Sequence, residues 1–175
     1  MKKLILALAI FGLSAGAHAA KKDKMFDYWS AGMAMENISN YTDGGFAFIA
    51  NAHKNYPDVH ENFSIEGAFS YTLSPASYSF FTSKVESKVM SLGGYGVYTH
   101  QVDKDMSVHG RLGLAYASVE STASGCSICS GKGSSTDLSF GVGADYKMDK
   151  EKTLFATWRT IKEITHIGAG VKMKF

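Results

Sequence analysis

Apolar and polar residues alternate along most of this chain. In LSFGVGADYKM, Leu138, Phe140, Val142, Ala144, Tyr146 and Met148 fall on one face of an extended strand, and Ser139, Gly141, Gly143, Asp145 and Lys147 fall on the other. FSIEGAFSYTL repeats the arrangement, with Phe63, Ile65, Gly67, Phe69, Tyr71 and Leu73 against Ser64, Glu66, Ala68, Ser70 and Thr72. A period of two residues is the mark of a β-strand. Read this way, the chain predicts eight strands, over residues 26–38, 45–53, 62–73, 85–100, 106–120, 136–148, 153–161 and 164–175. Residues 40–44, 74–83, 102–105, 121–135 and 149–152 carry the Gly, Pro, Ser, Asn, Asp and Lys expected of connections. The pattern does not fix the phase of the fourth strand, VMSLGGYGVYTH, where a bulge would shift it.

Alternation leaves open which face is outside. A soluble barrel turns its apolar face inward; a membrane barrel turns it outward. Three features favour the membrane. The polar face is mostly Gly, Ser, Ala and Thr with scattered charges, which suits a crowded interior better than a solvent surface. Aromatic residues gather near strand ends, at Phe26, Tyr28, Trp29, Tyr98, Tyr146 and Phe175, where an interfacial girdle would lie. The alternation also runs to the last residue, Phe175, as expected of a strand that closes a barrel by pairing with the first. The alternative is a soluble ligand-binding barrel, which would extract without detergent.

The other end of the chain agrees. Met1-Lys2-Lys3 is basic, Leu4 to Leu13 is apolar, and Ala17-His18-Ala19 fits a small-x-small cleavage pattern. This predicts a signal peptide over residues 1–19 and a single β-barrel domain over 20–175. The apolar run is too short for a spanning helix, which needs roughly 20 such residues. The chain has 18 basic and 16 acidic residues, and Lys2 and Lys3 account for the whole excess. The charge balance therefore gives no sign of a nucleic-acid partner. Gly is frequent, at 18 residues, and Pro rare, at two, which argues against helix. The expected fold is all-β: an eight-stranded antiparallel transmembrane β-barrel preceded by a cleaved signal peptide.

At this point the chain resembles the small bacterial outer-membrane β-barrels, the opacity-protein/OmpX-like and OmpA transmembrane-type porin family. The resemblance rests on FSIEGAFSYTL, LGGYGVYTHQVDKDMSVHGRLGLAYASVE, LSFGVGADYKM and the terminal GAGVKMKF. It implies export through the periplasm to the cell outer membrane, contact with outer-membrane lipid and lipopolysaccharide, and a monomeric state. A terminal Phe is part of the signal read by the outer-membrane assembly machinery in that family, and Phe175 matches it. The family includes adhesins, so a surface-loop role in adhesion or envelope structure is expected, with a host or envelope ligand and no cofactor. The alternatives are a small ion or solute channel and a lipid-active outer-membrane enzyme.

Several residues are candidates for chemistry. In the phase assigned above, Glu36, Glu66, Arg111, Asp145, Arg159 and Lys172 point into the lumen, joined by His109 and His166. Charges there must pair across it. Strand directions suggest an upper set of Glu36 with Arg159, and a lower set of Glu66, Arg111, Asp145 and Lys172. The bland reading is a plug that fills the barrel; the functional one is a gated ion path. His166 near the outer end of the last strand is the one hint of catalysis, but no third partner is identifiable. His53, His60 and His100 fall near inner turns. Tyr78, Phe80 and Phe81 stand in a predicted outer loop, either folded onto the rim or forming a contact site. Cys126 and Cys129 fit a local disulfide, a pair of free thiols, or half of a metal or redox site.

Phe175→Asp is expected to reduce the amount of membrane-inserted protein whose gel mobility changes on boiling. Unchanged amounts would mean that the terminal residue is not part of an assembly signal.

Overall fold

The computed structural model describes residues 25–80, 83–124 and 130–174. The predicted leader, Phe81, Cys126, Cys129 and Phe175 lie outside these residues. Nine strands follow one another: β1 (Tyr28–Ile38), β2 (Gly45–Asn55), β3 (Phe63–Ser74), β4 (Ala76–Phe80), β5 (Ser83–Gln101), β6 (Met106–Ser124), β7 (Gly131–Lys147), β8 (Lys152–Ile161) and β9 (Ile164–Lys174). All pairings are antiparallel. β3 and β4 both pair with β5 and form one wall strand interrupted at Pro75, so the wall is eight strands around. β1 pairs with β9 from Tyr28↔Lys174 to Ile38↔Ile164, which closes the barrel. Each wall strand thereby has a neighbour on both sides, the condition for backbone N–H and C=O groups to be satisfied in hydrocarbon.

The two faces follow the alternation. Leu114 and Leu138 are among the most exposed apolar side chains, at 60% and 61%, while Glu66, Ser70 and Ser139 are fully buried. Large apolar groups outside and polar groups inside is the reverse of a soluble protein and fits a wall facing lipid. The outer face near the end where β1 begins and β9 ends carries Trp29, Tyr98 and Tyr146. Tyr28 does not join this girdle; it turns inward and lines the lumen.

The fourth predicted strand, β5, holds one phase throughout. Its partners run without a break from Lys84↔Ser124 to Gln101↔Ser107, with Ser87, Val89, Ser91, Tyr95 and Val97 inward. The irregularity lies opposite it. Phe46 pairs with Ser74 but Ala47 with Thr72, and β5 passes from Met90↔Tyr71 to Ser87↔Ala76. The extra residues around Pro75 bulge out, as a residue without an N–H requires. The Thr72 hydroxyl repairs the break by accepting a hydrogen bond from Val89 N–H at 2.7 Å.

In two predicted outer loops, most of the described residues belong to strands. Residues 76–80 continue the wall as β4, so Tyr78 and Phe80 sit in a paired strand rather than a loop. β6 runs on to Ser124 and β7 starts at Gly131, so both enter the predicted 121–135 loop and pair up to Ser121↔Gly131. Ser- and Gly-rich sequence reads as turn, but here cross-strand pairing satisfies its backbone. The result is a four-stranded blade, β4–β7, that rises above the opposite wall, where β8 and β9 turn at Lys162-Glu163 with Lys162 at φ 53°. At the other end the connections are compact. In the β7–β8 turn the Asp149 carboxylate accepts hydrogen bonds from the backbone N–H groups of Glu151 and Lys152, at 2.8 and 2.7 Å. These bonds hold its carboxyl below the usual carboxylate range.

A charge at the middle of the apolar belt costs about 2–4 kcal/mol, and about 0–1 kcal/mol near the interface. Val142→Arg is therefore expected to lower the yield of folded barrel in lipid vesicles, and Thr136→Arg, on the same face of β7 but above the end of β8, to leave it unchanged. Ser139→Arg should also fail, because that side chain is fully enclosed and bonded inside the lumen. Equal yields for Val142→Arg and Thr136→Arg would place the belt elsewhere.

Candidate functional site

The lumen is filled in layers. Towards the blade end, Val89, Ala117, Ile161 and Ile164 form an apolar plug, with Ile38 and Val119 packed against it. Ile161 and Ile164 flank the two-residue turn, so this short connection folds its own ends into the mouth. Below the plug, His166 on β9 meets Glu36 on β1, with Nε2 3.0 Å from Oε2. Thr72 donates to the other carboxylate oxygen at 2.6 Å. Next, the Arg159 guanidinium lies 5.9 Å above the Tyr95 ring, whose hydroxyl is 3.0 Å from Ser139 Oγ. Ser70 and Ser91 hydroxyls are 2.6 Å apart on the neighbouring wall.

A continuous charged chain crosses the lower lumen. His53 Nε2 is 3.3 Å from Glu66 Oε2, and Arg111 Nη1 donates to Glu66 Oε1 at 2.5 Å. Arg111 Nη2 is 2.7 Å from His109 Nε2. A guanidinium can only donate, so Nε2 accepts and the His109 proton resides on Nδ1. That nitrogen faces Asp145 Oδ2 at 3.4 Å, and Lys172 donates to the same oxygen at 2.7 Å. The imidazole fits because Gly143 lies beneath it; a Cβ there would stand 2.4 Å from His109 Nε2. Below the chain the lumen opens into a funnel of about 550 Å³, whose lining includes His53, His109, Asp145 and Lys172.

The sequence-selected residues are distributed as follows. Glu66, Arg111, Asp145 and Lys172 lie in the lower lumen, in two pairs bridged by His109. Glu36 and Arg159 do not pair. His166 is the register partner of both Glu36 and Arg159, and its shorter side chain takes the carboxylate. Arg159 turns to Tyr95 instead. His166 is buried at 1% exposure beneath the plug and does not face lipid at the rim. Tyr78 packs edge-on against Tyr41, with ring centroids 6.5 Å apart, and Tyr41 OH is 2.6 Å from Ser87 Oγ. Alternation alone missed the parts of His53, Thr72 and Tyr95. All three occupy the inward phase of their strands, and that phase was the available signal. Among the described residues no group of three or more His, Cys, Asp or Glu side chains is arranged to hold a metal ion.

Removing one partner of a buried ion pair costs about 3–5 kcal/mol, because the other charge is left unpaired. Glu66→Ala is expected to lower the urea midpoint of the vesicle-embedded barrel by an amount of that order. Adding Arg111→Met should recover much of the loss. A midpoint unchanged by Glu66→Ala would show that the pair does not hold the lumen together.

Residues 5–175 match the family model described as outer membrane protein beta-barrel domain. No curated protein sequence matches the chain significantly. Among solved structures, Neisserial surface protein A (NspA) is 18% identical, with a TM-score of 0.60 over 86% of this chain and 96% of that one. The N-terminal β-barrel domain of Pseudomonas aeruginosa OprF is 16% identical, with a TM-score of 0.54 over 85% and 97%. Ail of Yersinia pestis in complex with the heparin analogue sucrose octasulfate is 18% identical, with a TM-score of 0.50 over 85% and 100%. At these identities the similarity is one of fold. The lipid-facing belt, the closed sheet and the family match over nearly its whole length agree, and the chain belongs to the outer membrane β-barrel family.

Proposed function

We propose that the chain is a non-enzymatic, non-conducting outer-membrane barrel that acts through its exposed blade end, in surface contact or envelope structure. One contrast carries the reading: the lumen is packed across its width, while four strands extend into the space beyond the wall. An ion path would have to pass the plug, the Glu36–His166 pair and the Arg111 cluster. A lipid-active enzyme would need a nucleophile and a base together on the outer wall. His53, His109 and His166 point inward and His60 sits in a turn beside Tyr98; His100 is exposed near the end of β5, where its register partner is Val108 rather than a nucleophile.

The blade offers a backbone edge. β4 on one side is covered by the β1–β2 connection through the Asp43↔Ser77 bridge. On the other side, β8 stops at Ile161, opposite Ser139, while β7 continues to Gly131. Among the described residues, 131–138 pair only with β6. At about 3.4 Å per residue this leaves an unpaired edge roughly 27 Å long. We assign surface contact to this edge. The Ail complex supplies one ligand class to try on this fold, a sulfated saccharide.

Tyr116 and Thr136 are register partners. Joining them through an Asn-Gly turn would remove most of this edge and leave the pairing of β7 with β8 in place. The shortened barrel is expected to keep its heat-modifiable mobility and to lose binding to host cells and to immobilised heparin. The unaltered monomer is expected to hold a planar bilayer closed. Steady conductance, abolished by Arg111→Ala with the blade intact, would move the function into the lumen.

A further inference from the structure

We propose that the funnel at the end opposite the blade is a binding cup for a small zwitterion of dipeptide size, held with its ammonium on Asp145 and its carboxylate on Lys147. The cup is a second site, independent of the blade. The chain of contacts around Arg111 closes its floor, so it binds a solute without conducting one. One wall is built by an unusual connection. Inner turns of membrane barrels are short, but residues 56–62 form a longer turn between β2 and β3. The N–H groups of Val59 and His60 fold it on itself by donating to the Tyr56 carbonyl, at 3.0 and 3.1 Å. Pro57, Glu61 and Asn62 of this turn extend the funnel wall beyond the strands.

The charges of the cup are layered. At the floor, Asp145 lines the funnel and is 6% exposed. Its Oδ2 accepts from Lys172 and faces His109, but its Oδ1 is shielded and has no hydrogen-bond partner. Such an acceptor is costly until a donor reaches it. The χ2 torsion of Asp is soft, so a modest rotation presents Oδ1 to the funnel while Oδ2 keeps Lys172. A metal ion is a poor occupant, because among the described residues no three His, Cys, Asp or Glu side chains converge. An ammonium brings three donors and a full charge. One step towards the opening, Lys147 on β7 and Lys174 on β9 follow Asp145 and Lys172 on the same inward phase. Neither forms an ion pair among the described residues. The remaining acids of the lining stand on the turns at the rim, and the carboxylate of one, Asp149, is already taken by backbone N–H groups. A dication entering the cup would meet the lysine row. A plain anion would leave Oδ1 without a donor. An ammonium joined to a carboxylate satisfies both layers. The spacing fits: Asp145 and Lys147 are about 6.7 Å apart along the strand, and an extended dipeptide spans at most about 7 Å.

The test titrates the folded barrel in detergent micelles with alanyl-alanine and follows backbone amide NMR shifts. The amides of Asp145 and Lys147 are expected to move and to saturate at millimolar peptide. N-acetyl-alanyl-alanine lacks the ammonium and alanyl-alanine amide lacks the carboxylate; each is expected to bind about tenfold more weakly. Lys147→Gln should bring alanyl-alanine and its amide to equal affinity and keep the preference over the acetylated form. Asp145→Asn should do the converse. Lys147 is exposed and outside the buried ion pairs, so its variant keeps the test valid if Asp145→Asn fails to fold; heat-modifiable mobility reports folding of both. The barrel with a shortened blade should bind as the unaltered one does. Equal affinity for all three peptides, or no movement at Asp145 and Lys147, would overturn the inference. A carboxylate preference that survives Lys147→Gln would overturn the part given to Lys147. Loss of binding on shortening the blade would place the site at the other end and overturn the cup.

Discussion

A polypeptide in hydrocarbon has no water to complete its backbone hydrogen bonds, and every other feature of this molecule is arranged around that constraint. The sheet closes on itself through β1 and β9 because an open edge at membrane depth would leave a row of groups unpaired. Closure bends the wall, and bending brings inward-facing backbone close together. Gly32 lies in the seam where an added Cβ would stand 2.2 Å from the Ala169 carbonyl oxygen. Where the chain cannot supply an N–H, at Pro75, the wall bulges and a side-chain hydroxyl takes up the broken ladder. Only above the end of β8 does the constraint lapse, and there an edge is left open.

A narrow closed wall fixes what the interior can hold. Eight strands leave room for side chains and little else. Polar residues facing inward then have only one another as partners, so the interior becomes a ladder of acid–base contacts, from Glu36 with His166 down to Asp145 with Lys172. The bases include two imidazoles: His53, which the sequence placed only near an inner turn, meets Glu66, and His109, on the inward face of β6 with Arg111, bridges Arg111 to Asp145 and turns two separate ion pairs into one chain.

The barrel, its strand order and its in/out phase were legible because lipid enforces alternation along every wall strand. LSFGVGADYKM and FSIEGAFSYTL read without ambiguity. The phase of β5 did not, because Gly93, Gly94 and Gly96 carry no side chain to reveal a face, and the bulge that the pattern suggested lies across from it at Pro75. The blade was misread for a related reason. Beyond the membrane the outer face no longer has to be apolar, so ASYSF and the Ser/Gly stretch before Thr136 lose the contrast on which periodicity depends. Of the lumen charges, membership could be read from phase, but partners could not. Whether Glu36 meets Arg159 or His166 depends on side-chain reach across three strands, which no linear pattern records.

The seam between β1 and β9 also bears on time. Glu36 and His166 are 130 positions apart, and their contact joins the first and last strands. Such a contact cannot form early: the chain pays the entropy of its longest loop before this contact returns anything. Once made, it is locked from outside by glycine-tight backbone packing and from inside by a buried hydrogen bond between imidazole and carboxylate. Opening the wall there means losing both together. The persistence of this barrel is thus a matter of rate as well as of equilibrium, set by the one junction that is made last.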